Sequence, residues 1–158
     1  MRLICQAAAI AIAVALGAAA QDKPKESITI SVPEQAIGTQ VGCSLAIEGT
    51  AALPGGQHLW VFVRRADFEG VWWPQGEGKV DPKTLKWSVP VTFGQQQDVG
   101  MDFDIAVVAV TESEHIKLRD YRIKAMTTDN WLPIEMPATA APPLYRTVRK
   151  VNHSNCRQ

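Results

Sequence analysis

The fold of this chain is constrained most by short segments, bounded by proline or glycine, in which apolar and polar residues alternate. Residues 26–32, ESITISV, set Ile28, Ile30 and Val32 against polar neighbours. Successive side chains of a strand point to opposite faces, so a period of two predicts a half-buried strand. The pattern recurs in residues 43–49, 87–94 and 144–151. Strands of this kind bury their apolar faces by packing one sheet on another.

Two segments are apolar on both phases and predict central strands that are covered on both sides. They are residues 58–65, HLWVFVRR, and residues 102–111, DFDIAVVAVT. We therefore expect Trp60 and Phe62, which share one phase, to lie in the core. Residues 70–74, GVWWP, predict a short edge strand, because proline cannot donate a hydrogen bond to a neighbouring strand.

The segment before the last strand permits two interpretations. Thr111 and Glu114 have the spacing of a capping box, which favours a short helix. Apolar residues at alternate positions would also fit a pair of strands. A long proline-containing connection, residues 127–143, follows and is expected to be packed or functional. Altogether the chain predicts an all-β fold, an antiparallel β-sandwich of about seven strands with one short helix before the last strand.

The first twenty residues predict a destination outside the cytoplasm. Arg2 precedes a long apolar run, and small residues follow before a polar segment. This order is typical of a secretory signal peptide, with cleavage expected after Ala20. An uncleaved membrane anchor is the alternative, because the run is nearly long enough to span a bilayer. We expect residues 21–158 to form a single periplasmic or secreted domain, with no membrane association once the leader is removed.

The charge balance gives no support to nucleic-acid binding. Cleavage would remove Arg2 and leave 15 Lys and Arg residues against 16 Asp and Glu residues. Phosphate binding needs a clustered basic surface, which a nearly neutral chain does not predict.

Cys43 and Cys156 would remain after cleavage. In an oxidising compartment the two are expected to form a disulfide, either within one chain or with another chain.

One residue interval and one short motif resemble those of immunoglobulin domains. Cys43 precedes Trp60 by 17 residues, and residues 98–103, DVGMDF, resemble the approach to strand F. Strand F lacks the usual cysteine, so the standard bridge between sheets is not expected. Segments LWVFVRR and WWPQ, with the FDI strand, resemble a set of exported bacterial Ig-like β-sandwich modules. This resemblance covers residues 28–151 and implies a fold, with no established catalytic function.

Residues that carry catalysis or bind metals do not occur in recognisable patterns. The three histidines, His58, His115 and His153, lack zinc-site spacing and are expected at strand ends and on the surface. The serines lack the context of a hydrolase nucleophile. We therefore expect no catalytic residues, no metal and no cofactor, and predict that the protein is not an enzyme.

Two sets of acidic residues leave a calcium site and a glycoside hydrolase open as alternatives. A calcium site would use Asp98, Asp102 and Asp104, with Glu112 or Glu114 as a further ligand. A small secreted hydrolase acting on glycosides would need two facing carboxylates. The candidates for that pair are Asp67, Glu69, Glu77 and Asp81.

The adjacent residues Trp72 and Trp73 are the strongest candidates for a binding surface. In an extended chain their side chains point to opposite faces, so at most one can enter the sandwich there. The other would be covered by a loop, such as the one that carries Trp131, or exposed near Gln75 and Glu77. An exposed tryptophan could bind an envelope or extracellular protein, or stack on a glycan. We predict a non-catalytic binding or protein-interaction module, with a carbohydrate-binding module as the alternative.

Overall fold

The computed structural model describes residues 26–35 and 38–152. The predicted signal peptide, Cys156 and His153 lie outside this range. The described part contains eight strands and one α-helix. In chain order they are β1 (Ser27–Val32), β2 (Gln40–Val41), β3 (Ser44–Ala52), β4 (Gln57–Arg65), β5 (Trp73–Glu77), β6 (Lys86–Thr92), β7 (Asp102–Thr111), α1 (Glu112–Thr128) and β8 (Leu144–Lys150).

The strands form two packed sheets with the order of an immunoglobulin-like sandwich. One sheet is β1-β3-β6 and the other is β2-β8-β7-β4-β5. These orders match strands A, B and E of an Ig-like domain on one side, and strands G, F, C and C′ on the other. All neighbours are antiparallel except β2 and β8, which pair in parallel. The predicted Ig-like sandwich is confirmed, and the extra strand β2 is too short, at two residues, for a period of two to reveal it.

The main core lies between the two sheets. Its members are the inward-facing apolar residues of the predicted strands, including Ile47, Val61, Val89, Phe93 and Ile105, all at most 1% exposed. Pro90 faces away from this core on β6, which is an edge strand. Every second residue of β6 is therefore buried. Because β6 has a neighbour on one side only, Pro90 does not interrupt hydrogen bonding between two central strands.

A second core lies on the opposite face of the five-stranded sheet, under α1 and the connection that follows it. It consists of Trp60, Phe62, Trp72, Ala106, Val108, Val110 and Leu118, with Ile134 and Met136 packed against it. This second core explains why β4 and β7 are apolar on both phases. Trp60 and Phe62 are buried as predicted, but beneath the helix side of the sheet rather than between the sheets.

The helix before the last strand is confirmed and is longer than predicted, with 17 residues. The predicted capping box does not form. The Thr111 side chain makes no cap hydrogen bond, and Glu114 instead forms an ion pair with Lys117 at 2.6 Å. The helix ends at Asp129, whose left-handed backbone lets its N–H bond to the carbonyl of Ala125. Within the described residues, no helix is long and apolar enough to cross a membrane.

Backbone contacts fix the connection, residues 129–143, against the edge of the sheet. Trp72 N–H donates to Ile134 O at 2.7 Å, and Ile134 N–H donates to Trp72 O at 2.9 Å. The strand β5 extends to Glu77, into a segment whose composition predicts a turn. Its pairing with β4 shifts register between Val61 and Phe62, which marks a bulge. The edge strand and the connection together form the side of the molecule that carries the predicted binding residues.

Candidate functional site

The four predicted binding residues lie on or beside β5, but the structure divides them among different environments. Trp72 is only 5% exposed and belongs to the second core. Its ring lies 4.5 Å from the guanidinium carbon of Arg64, and 6.0 Å from the ring of Tyr145. The backbone pairing with Ile134 covers it from outside. Trp72 is therefore a packing residue in this structure and is not accessible to a partner.

Trp73 is partly exposed and belongs to a group of three aromatic side chains. The ring of Phe68 lies 5.9 Å from that of Trp73, and Trp73 Nε1–H donates to Trp131 O at 3.0 Å. Phe68 is 39% exposed and Trp131 is 40% exposed. We call Phe68, Trp73 and Trp131 the aromatic patch. Of the two alternatives for the outward tryptophan, covered by the loop of Trp131 or exposed, Trp73 combines both, since it is bonded to that loop and partly exposed.

The aromatic patch is bordered by a charged group that is itself held in place. The Arg65 guanidinium carbon lies 4.2 Å from the centre of the Phe68 ring. Arg65 also pairs with Asp67 at 2.6 Å and with Asp98 at 3.0 Å. The hydrogen bonds from Arg65 hold the pKa of Asp67 below its usual value. The arginine is thus oriented by two carboxylates while one face of it covers an aromatic ring.

Gln75 links the two sheets rather than facing a ligand. Its Nε2 donates to Trp73 O at 3.2 Å, and its Oε1 accepts from Thr92 N–H at 2.9 Å. Thr92 ends β6, an edge strand of the other sheet. Gln75 therefore fixes the position of β5, and with it the aromatic patch.

Glu77 lies at the far end of β5, in a cluster with two histidines and a second glutamate. His58 Nδ1 is 3.5 Å from a Glu77 oxygen, and His58 Nε2 is 2.6 Å from a Glu112 oxygen. The imidazole rings of His58 and His115 stack, with centroids 3.7 Å apart and planes within 11° of each other. We call His58, Glu77, Glu112 and His115 the His–Glu cluster.

His115 is buried in the first turn of α1, so the prediction that every histidine is a surface residue is wrong for it. Its Nδ1 accepts a hydrogen bond from Trp60 Nε1–H at 3.1 Å. An indole nitrogen can only donate, so Nδ1 carries no proton and the neutral ring has its proton on Nε2. Burial, followed by the neighbouring charge of His58, lowers the pKa of His115. The carboxylates of Glu77 and Glu112 act in the opposite direction.

The His–Glu cluster has the residue types of a metal site, but its geometry does not fit a shared ion. Ligand atoms of His58, Glu77 and His115 lie within 4.8 Å of one another. A metal bonds along the in-plane lone pair of an imidazole. The lone pairs of two stacked rings lie in separate, nearly parallel planes and do not converge on one point. The Trp60 hydrogen bond also occupies the lone pair of His115 Nδ1. An ion bound by both histidines would require the stack and this hydrogen bond to be broken.

An open groove with a volume of about 470 Å³ lies beside the His–Glu cluster. Its lining includes Leu53, His58, Glu77, Val80 and Leu85. The groove lies at the end of the sandwich formed by the β3–β4 turn, the segment after β5 and the start of α1. This is the end of the sandwich at which variable Ig domains have their B–C and F–G loops.

The acidic residues considered for calcium are each paired with an arginine. Asp98 contacts Arg65 at 3.0 Å, Asp104 contacts Arg64 at 3.0 Å, and Asp102 contacts Arg149 at 3.3 Å. Each of these carboxylates therefore has an arginine as its counter-ion.

Three of the four carboxylates considered for glycoside hydrolysis contact groups other than a second carboxylate. Asp67 is bound to Arg65. Asp81 accepts backbone hydrogen bonds from Lys83 and Thr84, both at 2.8 Å, which lower its pKa and close a turn. Glu77 is engaged with His58.

The opposite end of the sandwich contains Cys43 and a buried lysine. Cys43 is fully buried, with Sγ 4.0 Å from Asn152 O. Its predicted partner, Cys156, lies outside the described residues, so the disulfide stays a prediction. Lys150 is also fully buried, and its ammonium group donates to Phe93 O at 2.8 Å and to Gln95 O. These contacts support the end of the sandwich opposite the groove.

Comparisons with known proteins add little to this geometry. No protein-family model matches the chain, and no curated protein matches it. Among solved structures, the chain is similar to murine CRIg, with 9% sequence identity and a TM-score of 0.31. The match covers 82% of this chain and 98% of that one. The fold assignment rests on the strand order, and the resemblance to exported bacterial modules stays a prediction.

Proposed function

We propose that this protein is an exported, non-catalytic module that binds a protein partner through the aromatic patch. The observation that carries the proposal is the partial exposure of Phe68, Trp73 and Trp131, with Phe68 stacked under Arg65 and Trp73 bonded to the Trp131 backbone. Aromatic residues and arginine are the residue types that contribute most to the free energy of protein association. Exposed apolar clusters with a polar rim are typical of interaction sites.

The contacts around the patch support binding because they hold it in one conformation before a partner arrives. Trp73 is hydrogen-bonded to Trp131 O, and the connection is paired to Trp72 through Ile134. Tyr121 of α1 donates to Leu132 O at 2.6 Å. A surface that is already ordered loses less conformational entropy on association. The helix and its connection thus form a support for the patch.

The geometry favours a protein over a carbohydrate as the ligand. The rings of Phe68 and Trp73 are inclined at 38°, so they do not form a flat platform for a sugar ring. The indole N–H of Trp73 is also used inside the molecule. A glycan would therefore depend mainly on Trp131. Inclined rings with an adjacent guanidinium suit an irregular apolar protein surface better.

A pull-down from the native envelope tests the proposal. We expect a partner to co-purify with the wild-type protein and to be lost from the double variant Phe68→Ala, Trp131→Ala. The matched control is Met126→Ala, which removes an exposed apolar side chain of α1 that is 64% exposed and outside the patch. Retention of the partner by the double variant would contradict the proposal. Loss of glycan binding on an array, with no protein partner, would favour the carbohydrate alternative.

A further inference from the structure

The His–Glu cluster points to a property that the binding proposal does not require. We propose that the stacked pair His58 and His115 is a pH-sensitive switch, in which protonation of His115 releases the first turn of α1 from the sheet. The switch rests on the contacts of the two rings and on their position at the junction between sheet and helix. It is independent of the aromatic patch.

The two rings of the pair have different hydrogen-bonding partners. His58 has a carboxylate near each nitrogen, Glu77 at 3.5 Å and Glu112 at 2.6 Å. Either nitrogen can therefore donate to a negative charge. His115 has the donor Trp60 Nε1–H at its Nδ1. The surroundings of the two stacked rings thus differ, with acceptors around His58 and a donor at His115 Nδ1.

A proton on His115 Nδ1 would conflict with its surroundings in two ways. It would place an N–H group against the N–H of Trp60, a residue only 1% exposed, at a donor–acceptor distance of 3.1 Å. It would also place a second positive charge 3.7 Å from the His58 ring. Such a charge in a buried position, facing a charge of the same sign, destabilises the arrangement.

The charges that face His115 come from each element packed around it. Strand β4 contributes His58, and β5 contributes the carboxylate of Glu77. The helix itself contributes Glu112, which favours the protonated ring, and Arg119, which opposes it. Trp60 contributes a donor without charge. Burial of the ring and the charges of His58 and Arg119 oppose protonation of His115. The docked form is therefore the one with a neutral His115 ring.

The release is expected to be local because of where the buried residues of α1 lie. The buried residues of the helix are His115, Leu118 and Ala125. His115 is the one in the first turn. Leu118 and Ala125 would continue to hold the remainder of the helix on the second core. Protonation would therefore expose the first turn and the edge of Trp60, and leave the sandwich intact.

Nuclear magnetic resonance of the ¹⁵N-labelled full chain tests the switch. The probe is the indole N–H signal of Trp60, followed from about pH 8 to about pH 5, which spans the titration of histidine. We expect this signal to shift in one step, with its midpoint below the ordinary value of 6.5 for histidine. Amide exchange in residues 112–116 should accelerate several-fold over the same step, while residues 118–128 change little. A Trp60 signal that does not respond would overturn the proposal.

A non-titrating variant separates the switch from general acid effects. Asn in place of His115 keeps a side-chain oxygen that can accept from Trp60 but cannot take up a proton in this range. We expect His115→Asn to abolish the step and to stay docked at low pH. The matched control His153→Asn should retain the wild-type step. A step of unchanged midpoint in His115→Asn would overturn the proposal, and the other tryptophan indole signals report whether the variant is folded.

A second variant identifies which group takes up the proton. Glu112 favours the protonated form of His115, so Glu112→Gln should move the midpoint to lower pH. If the carboxylate of Glu112 were the trigger instead, the same variant would release the first turn at neutral pH. That result would contradict the switch, whatever the outcome of the binding experiments on the aromatic patch.

Discussion

His58 and His115 stack face to face across the junction of β4 and α1, with ring centroids 3.7 Å apart. The stack exists because the Trp60 N–H fixes His115 from one side, while two carboxylates surround His58. The same contacts fix the start of the helix that covers the second core. This relationship connects the loop end of the sandwich to the interior of the sheet.

The first prediction concerns the acceptor that His115 provides. Replacing His115 with alanine leaves the N–H of Trp60, which is 1% exposed, without its hydrogen-bond partner. An unsatisfied buried donor costs about 1–3 kcal/mol. We expect the free energy of unfolding at neutral pH to fall by this amount in urea titrations. Ser113→Ala, in the same turn but exposed, should change it little. Equal effects of the two substitutions would show that the hydrogen bond does not stabilise the fold.

The second prediction separates the two roles of the tryptophans on this side of the molecule. Trp72 is 5% exposed and Trp131 is 40% exposed. We expect Trp72→Ala to lower the free energy of unfolding by about 3–5 kcal/mol, because it empties part of the second core. Trp131→Ala should change it by about 0.5 kcal/mol or less, as substitutions at the surface do. Denaturant unfolding of both variants measures the difference. Similar losses for the two would mean that Trp131 is a packing residue and not part of a binding surface.

The third prediction tests the packing of β3 against β1. A Cβ at Gly49 would collide with the backbone oxygen of Thr29 and lie 2.8 Å from Trp87 Cζ2. Since the backbone of a paired strand cannot move aside, Gly49→Ala should lower the free energy of unfolding by about 1–3 kcal/mol or more. At Gly55 a Cβ would meet nothing within 4 Å, so Gly55→Ala is the matched control. A Gly49→Ala protein as stable as the control would contradict the close approach of these strands.

The fourth prediction uses the buried ammonium group of Lys150. Burial lowers the pKa of Lys150, and the charge of Asp98 partly offsets this effect. The unfolded chain therefore binds the proton more tightly, so this group adds stability as the pH rises from the lowered folded pKa towards 10.5. Lys150→Met removes this dependence. We expect the wild-type protein to gain stability relative to the variant between about pH 7 and about pH 10.

The exposed Lys124 provides the control for that comparison, because Lys124→Met should leave the pH dependence unchanged. Urea unfolding at the two pH values supplies the free energies. A constant difference between the wild-type protein and Lys150→Met would show that the lysine is not buried in its charged form.

Much of the fold could be predicted because local patterns determine it. The double-sided apolar runs of β4 and β7 predicted central strands, and the burial of Trp60 and Phe62 followed from them. The helix was predicted in place but not in length, because its apolar residues lie on exposed as well as buried faces. Ile116 is 49% exposed, for example, whereas Leu118 is 2% exposed.

The candidate sites could be predicted only in part, because they depend on contacts between distant segments. His58 meets the start of α1 because it pairs with Val110 across β4 and β7, a register that the sequence does not specify. Trp72 is covered because Ile134 returns to pair with it. The sequence drew attention to Trp73 and to the loop of Trp131, which the structure joins by a hydrogen bond. It gave no signal that two histidines without a motif would stack.

The most direct test of the proposed binding function is site-specific photo-crosslinking in the native envelope. A photoreactive aromatic residue replaces Trp131 in the aromatic patch, and in a parallel protein it replaces Met126, which is exposed on α1. We expect a discrete crosslinked protein from position 131 that is absent from position 126. No crosslinked protein from position 131, or the same products from both positions, would contradict binding through the aromatic patch.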